Sequence, residues 1–197
     1  LFSRDDLISQ LDAIDEQRSY FFMNISPDKA TIALTNSNYT SLDVIGIKGS
    51  IAVDIPHINS DQCKWSPNSE KLLLMRSNYE RKRRQNGLIV INNMGNINHT
   101  VIELTNQKIY PIGWTGDNTF HYLLDEEFIT QNIKGSKNEW EMPLIFSIKN
   151  KLYKKTNDSD ALLLYEANDM ILDLSYSSNA ELIVFEVYGD KTIIIQN

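Results

Sequence analysis

Residues 80–85 read Glu-Arg-Lys-Arg-Arg-Gln, which sets four consecutive cations, Arg81, Lys82, Arg83 and Arg84, in a chain of formal net charge -7. Such a run could contact an anion, an acidic partner or a lipid surface; the plainer alternative is a solvated hairpin loop. A second polar stretch, 125–141, opens on Asp125-Glu126-Glu127-Phe128 and closes on Glu139-Trp140-Glu141. Its carboxylates could pair with those cations. Trp140 is either a binding anchor, a role exposed aromatics often take, or a side chain packed under its own loop. The candidate binding residues are therefore Arg81, Lys82, Arg83, Arg84, Glu127, Phe128 and Trp140.

The remaining reactive residues point away from catalysis. His57, His99 and His121 have no metal-ligand spacing, and His121 falls in a predicted strand, where a structural role is expected. The single cysteine, Cys63, excludes an internal disulfide and a zinc ribbon and is expected to be a buried, inert thiol. No Gly-x-Ser-x-Gly elbow, phosphate-binding loop or dinucleotide fingerprint occurs, and no pair of carboxylates stands out as acid and base. We therefore expect no enzymatic activity, no metal and no cofactor. With 26 acidic against 19 basic residues, direct nucleic-acid binding is not expected either. No apolar run approaches the ~18 residues of a membrane span, so membrane attachment would need a segment outside this sequence. A first residue of Leu1 suggests a fragment or a processed form.

The elements that would hold these residues are short. The chain has 197 residues, 42% of them apolar, enough for one ordinary domain or at most two small ones. Asparagine is abundant, and clusters such as Asn92-Asn93-Met94-Gly95-Asn96 read as turns. Between the turns lie strand-length runs rich in Ile, Val, Leu, Tyr and Phe, at 30–35, 42–47, 51–55, 71–77, 88–92, 100–104, 120–124, 144–148, 161–165, 181–187 and 192–195. Several are apolar almost throughout, as strands buried on both faces are. Residues 5–14 alone carry helical spacing, through Leu7, Leu11 and Ile14.

Four ten-residue segments, starting at Ile25, Trp65, Trp114 and Tyr176, align without gaps. Each begins with a large apolar or aromatic residue, then Ser or Thr, then Pro, Gly or Ser, then Asp or Asn, then an apolar run. This predicts a strand ending at the aromatic residue, a tight turn closed by the hydroxyl and the Asx side chain, and an antiparallel return strand. Periods near 40–50 residues with about four strands each are a signature of propeller blades. Ile25-Ser26-Pro27-Asp28 and Trp65-Ser66-Pro67-Asn68 resemble the Ser-Pro-Asp-Gly signature of TolB-type, WD-like propeller repeats. All four copies lack its glycine, and the third and fourth lack its proline.

The expected fold is thus all-β: one small four-bladed β-propeller over residues 1–197. Its blades would lie near 20–57, 58–105, 106–166 and 167–197, the last completed by an N-terminal strand at 5–11 that closes the ring and covers a sheet edge. The alternative is an open fragment of a larger propeller. Connections between second and third strands, near 36–40, 78–87, 125–141 and 189–190, would emerge on one face, and the two longest carry the candidate residues. The resemblance implies a non-enzymatic binding or sensory module with a protein or small-ligand partner on that face. It would be the periplasmic part of a membrane-anchored winged-helix regulator resembling the CadC and ToxR types. Alternatives are a periplasmic TolB-like interaction scaffold and a propeller accessory to a prolyl-oligopeptidase-like hydrolase.

Overall fold

The repeat turns form as their residue types require. In the first, Lys29 N–H donates to Ser26 O at 2.8 Å, Ser26 Oγ donates to Asp28 Oδ1 at 2.6 Å, and Thr31 N–H returns to Ser26 Oγ at 2.9 Å. The second repeats this: Ser69 N–H to Ser66 O at 2.9 Å, Ser66 Oγ to Asn68 Oδ1 at 2.8 Å, and Lys71 N–H to Ser66 Oγ at 3.0 Å. Ser177 in the fourth copy accepts from Leu182 N–H in the same way, at 3.0 Å. Lys29 and Ser69, with φ of 60° and 62°, occupy the left-handed position where the resembling signature has glycine.

These turns join seventeen strands in a computed structural model that describes residues 20–36, 42–46, 49–53, 63–80, 83–133, 140, 142–157, 159–177, 181–189 and 192–196. No α-helix occurs among the described residues. The chain divides into two compact units, 1–136 and 137–197.

The first unit holds three sheets. They are β1 (Tyr20–Ile25), β2 (Thr31–Asn36), β3 (Leu42–Gly46) and β4 (Gly49–Val53); β5 (Cys63–Trp65), β6 (Lys71–Glu80), β7 (Arg83–Asn92) and β8 (Ile97–Thr105); and β9 (Ile109–Trp114), β10 (Thr119–Leu124) and β11 (Glu127–Asn132). Each is an antiparallel meander of strands adjacent in sequence. The second sheet is the middle layer. Leu72, Leu74, Ile89 and Ile91 pack with Cys63 and Trp65 against Ala33, Leu42 and Val44 of the first sheet. Leu73, Met75, Leu88 and Val90 point the other way, onto Ile109, Trp114, Phe120 and Tyr122 of the third. Successive strand residues face opposite sides, so a strand covered on both must be apolar throughout, which explains Leu72-Leu73-Leu74-Met75.

Polar ties reinforce these joints and follow the repeat. Trp65 Nε1–H donates to Asn24 O at 3.3 Å and Trp114 Nε1–H to Lys64 O at 2.7 Å. At the turns, Asp28 N–H meets Ser69 Oγ at 3.0 Å and Asn68 N–H meets Asp117 Oδ1 at 3.1 Å. The Ser26 hydroxyl, with help from Ala30 N–H and Ser69, holds the Asp28 carboxyl below the usual carboxylate range. A folded-state value below the unfolded one adds stability at pH above the unfolded value, lost as pH falls through the folded value. Asp28 is exposed, so the contribution is small. Asp28→Ala should cost less than about 1 kcal/mol at neutral pH and less again in acid, as read by urea unfolding at the two pH values.

The second unit holds β12 (Leu144–Ile148), β13 (Lys151–Lys155) and β14 (Leu162–Glu166) in one sheet, and β15 (Ile171–Tyr176), β16 (Leu182–Val187) and β17 (Thr192–Gln196) in another. Ile145 and Leu152 meet Ile171, Ile183, Phe185 and Val187 in its core.

The all-β expectation holds, and every predicted run overlaps a strand. Two stretches differ from the sequence reading. Residues 125–141 were expected as one inserted loop, yet Glu127–Asn132 is β11, paired with β10 from Leu124↔Glu127 to Thr119↔Asn132. The span 106–166, read as one blade, consequently carries six strands in two three-stranded sheets. Residues 78–87 were also expected as a loop, but the β6–β7 ladder continues to Glu80↔Arg83. In both, main-chain pairing supports a strand whose polar side chains give no apolar signal. The proposed closing strand at 5–11 lies outside the described residues.

Candidate binding arm of the second sheet

β6 and β7 each run for ten residues, whereas β2 and β10 run for six. Among the described residues, β5 pairs with β6 at Leu72–Leu74 and β8 pairs with β7 as far as Asn86↔Thr105. Beyond that point the hairpin continues, two-stranded among the described residues, through Asn78↔Gln85, Tyr79↔Arg84 and Glu80↔Arg83, an overhang of about 10 Å at the usual strand rise.

Three residues anchor its root. Gly87 pairs with Arg76, whose side chain crosses it to reach Glu103 on β8 at 2.7 Å. A Cβ on Gly87 would lie 2.9 Å from Ile102 O and 3.0 Å from Arg76 Nε. Asn86 Nδ2–H donates to Gln107 O at 3.3 Å, while Gln107 Nε2–H donates to Asp125 Oδ2 at 3.0 Å. Gln107 thus links the arm to the β10–β11 hairpin, where Asp125 and Glu126 turn the chain with φ of 49° and 76°. The Asp125 carboxyl also accepts Lys108 N–H at 2.9 Å, and that bond first, then Gln107, lowers its pKa.

The candidate residues therefore have distinct places. Arg83 and Arg84 stand on the arm, exposed, with no ion pair or side-chain hydrogen bond among the described residues; Arg81 and Lys82 lie outside those residues. Glu127 is exposed at the start of β11. Phe128 is half-buried with its ring 5.3 Å from that of His121, so it packs onto its own sheet. The β6–β7 and β10–β11 hairpins leave their sheets at the same end, opposite the repeat turns. Trp140 belongs to the other unit, half-buried, with Lys155 Nζ 5.7 Å above its ring.

His121 is fully buried between Thr115 Oγ1 at 2.8 Å and Thr130 Oγ1 at 3.0 Å, as a structural histidine should be. Cys63 is likewise fully buried. His57 lies outside the described residues. Among those described, no three His, Cys, Asp or Glu residues gather as metal ligands. The root residues Arg76, Gly87 and Gln107 were missed in sequence; the Asn86-Gly87 dipeptide, which reads as a turn, masks a strand.

The stacked meanders match solved propellers. A TolB-type protein from Agrobacterium tumefaciens superposes with a TM-score of 0.51 at 16% identity, over 91% of this chain and 58% of its own. The fold is of the β-propeller type. The C-terminal WD40 domain of Sif2 superposes at 0.58 with 11% identity, over 86% of this chain and 52% of its own. A Pyrococcus horikoshii acylaminoacyl peptidase superposes at 0.56 with 13% identity, over 89% of this chain and 36% of its own. The chain thus spans little more than half the length of these propeller proteins, or less. No protein-family model matches it, and no curated protein matches it in sequence.

Proposed function

We propose that this chain is a non-enzymatic binding module, the extracytoplasmic sensory part of a membrane-anchored transcriptional regulator, which engages a protein partner through the β6–β7 arm. The observation that carries it is the arm: a hairpin extended past its own sheet, ending in guanidinium groups that no described residue neutralises. A rigid stack of sheets presenting a long hairpin is the usual layout of a recognition surface. The likeness to a TolB-type protein favours a periplasmic interaction scaffold as the second reading. The regulator reading requires a winged-helix segment and a membrane span encoded upstream; a hydrolase domain downstream would replace both readings with the peptidase-accessory one.

Replacing Arg81, Lys82, Arg83 and Arg84 together by serine should abolish partner capture by chemical crosslinking in a periplasmic extract. The melting temperature should stay within about 2 °C, since the changes are on the surface. Undiminished capture by the variant would remove the arm from the binding surface.

A further inference from the structure

We propose that the arm takes an extended, acidic polypeptide segment, which lies along β7 past the end of β8 and sets adjacent carboxylates on Arg83 and Arg84. This rests on the reading of the arm as the binding element. β8 stops opposite Asn86, while Arg83, Arg84 and Gln85 continue as strand, paired through β6 on their other side. No described strand occupies the column beside these three residues. In an antiparallel strand alternate residues present their main-chain N–H and C=O to each side, so an added strand finds hydrogen-bonding groups there.

Charge selects the occupant. The chain carries -7 overall, yet the end of the arm is cationic. Arg83 and Arg84 are exposed and have no partner of their own among the described residues, so an acidic ligand need not displace an internal ion pair. Geometry then separates a peptide from a membrane surface. Adjacent strand residues point to opposite faces, so Arg83 and Arg84 lie on opposite faces of the ribbon. A flat anionic surface laid against either face meets one guanidinium. A strand running beside β7 has the same alternation, so two neighbouring acidic residues reach both, each in the bidentate pairing guanidinium favours. Cations on an exposed edge also discourage pairing with another copy of the same edge.

The test uses the full chain and a fluorescent peptide with an Asp-Glu pair in a Val/Thr background, read by anisotropy. Controls are the same peptide with proline beside the acidic pair and vesicles containing phosphatidylserine. Binding should weaken about tenfold or more in R83S/R84S, and comparably with the proline peptide, whose missing N–H and fixed φ spoil the added strand. It should also fall steeply with added salt. An unchanged variant melting temperature makes the loss local. No peptide binding up to about 1 mM would overturn the proposal. So would equal affinity for the proline peptide or for R83S/R84S, or binding to the vesicles in place of the peptide. If the peptide fails while the arm still captures a natural partner, this inference falls and the arm reading stands. If serine replacement spares partner capture, both fall.

Discussion

Trp114→Ala is expected to lower the unfolding free energy by about 4 kcal/mol, within the range for truncating a buried tryptophan. Trp114 is 3% exposed and sits at the joint between the second and third sheets, packed with Leu73, Met75, Leu88 and Val90. Its ring centroid is 5.1 Å from that of Phe120, a tilted contact that alanine also removes. Alanine leaves a cavity between two sheets whose positions are fixed by other contacts, so collapse can fill little of it. It also strips Lys64 O of an indole donor at 2.7 Å. Trp114→Phe separates these terms: it keeps most of the packing, loses the hydrogen bond, and should cost about 1–2 kcal/mol. Urea unfolding followed by fluorescence and by circular dichroism measures both. A loss under about 1.5 kcal/mol for the alanine variant would mean that the two sheets do not share this core.

Gly87→Val should cost about 3 kcal/mol, at the upper end for overpacking a filled site. The obstacle is main chain: a Cβ would stand 2.9 Å from the carbonyl oxygen of Ile102, the β8 residue paired with Leu88. Arg76 is the second obstacle, at 3.0 Å, and it is pinned to Glu103. The ion pair itself is worth under about 1 kcal/mol, because Glu103 is exposed. The two causes separate in a double-mutant cycle. Arg76→Ala should relieve only part of the cost of Gly87→Val, leaving the carbonyl clash. Full rescue by Arg76→Ala would show that the arginine alone excludes a side chain.

The sequence carried the repeats because each depends on side chains with narrow roles. Ser26, Asp28, Ser66 and Asn68 are present to close turns, and Trp65 and Trp114 to fill sheet joints, so residue type and spacing expose them. The centre of the run 71–77 was legible for the same reason: burial on both faces leaves no room for polar residues at Leu72, Leu73, Leu74 and Met75. β11 and β13 were not legible. Glu127–Asn132 and Lys151–Lys155 are half polar, and main-chain pairing holds them in place, β11 against β10 and β13 between β12 and β14. The arm was half legible: Arg81–Arg84 stood out by charge, but nothing in Asn78, Gln85 or Asn86 announces a ladder. Trp140 and the two hairpins of the first unit were grouped on one face from loop order. Within the first unit, the structure joins the two hairpins through Gln107; Trp140 belongs to the second unit.

Both tryptophans at the sheet joints donate to main-chain oxygens, Asn24 O and Lys64 O, the residue just ahead of each preceding repeat. A carbonyl acceptor is supplied by every amino acid. For this bond the side chain of the acceptor residue is immaterial, although Asn24 adds a bond of its own from Nδ2 to Cys63 O at 2.7 Å. The joint is thus specified by a donor on one side and by shape on the other, and the same architecture is seen in solved propellers at 11–16% identity.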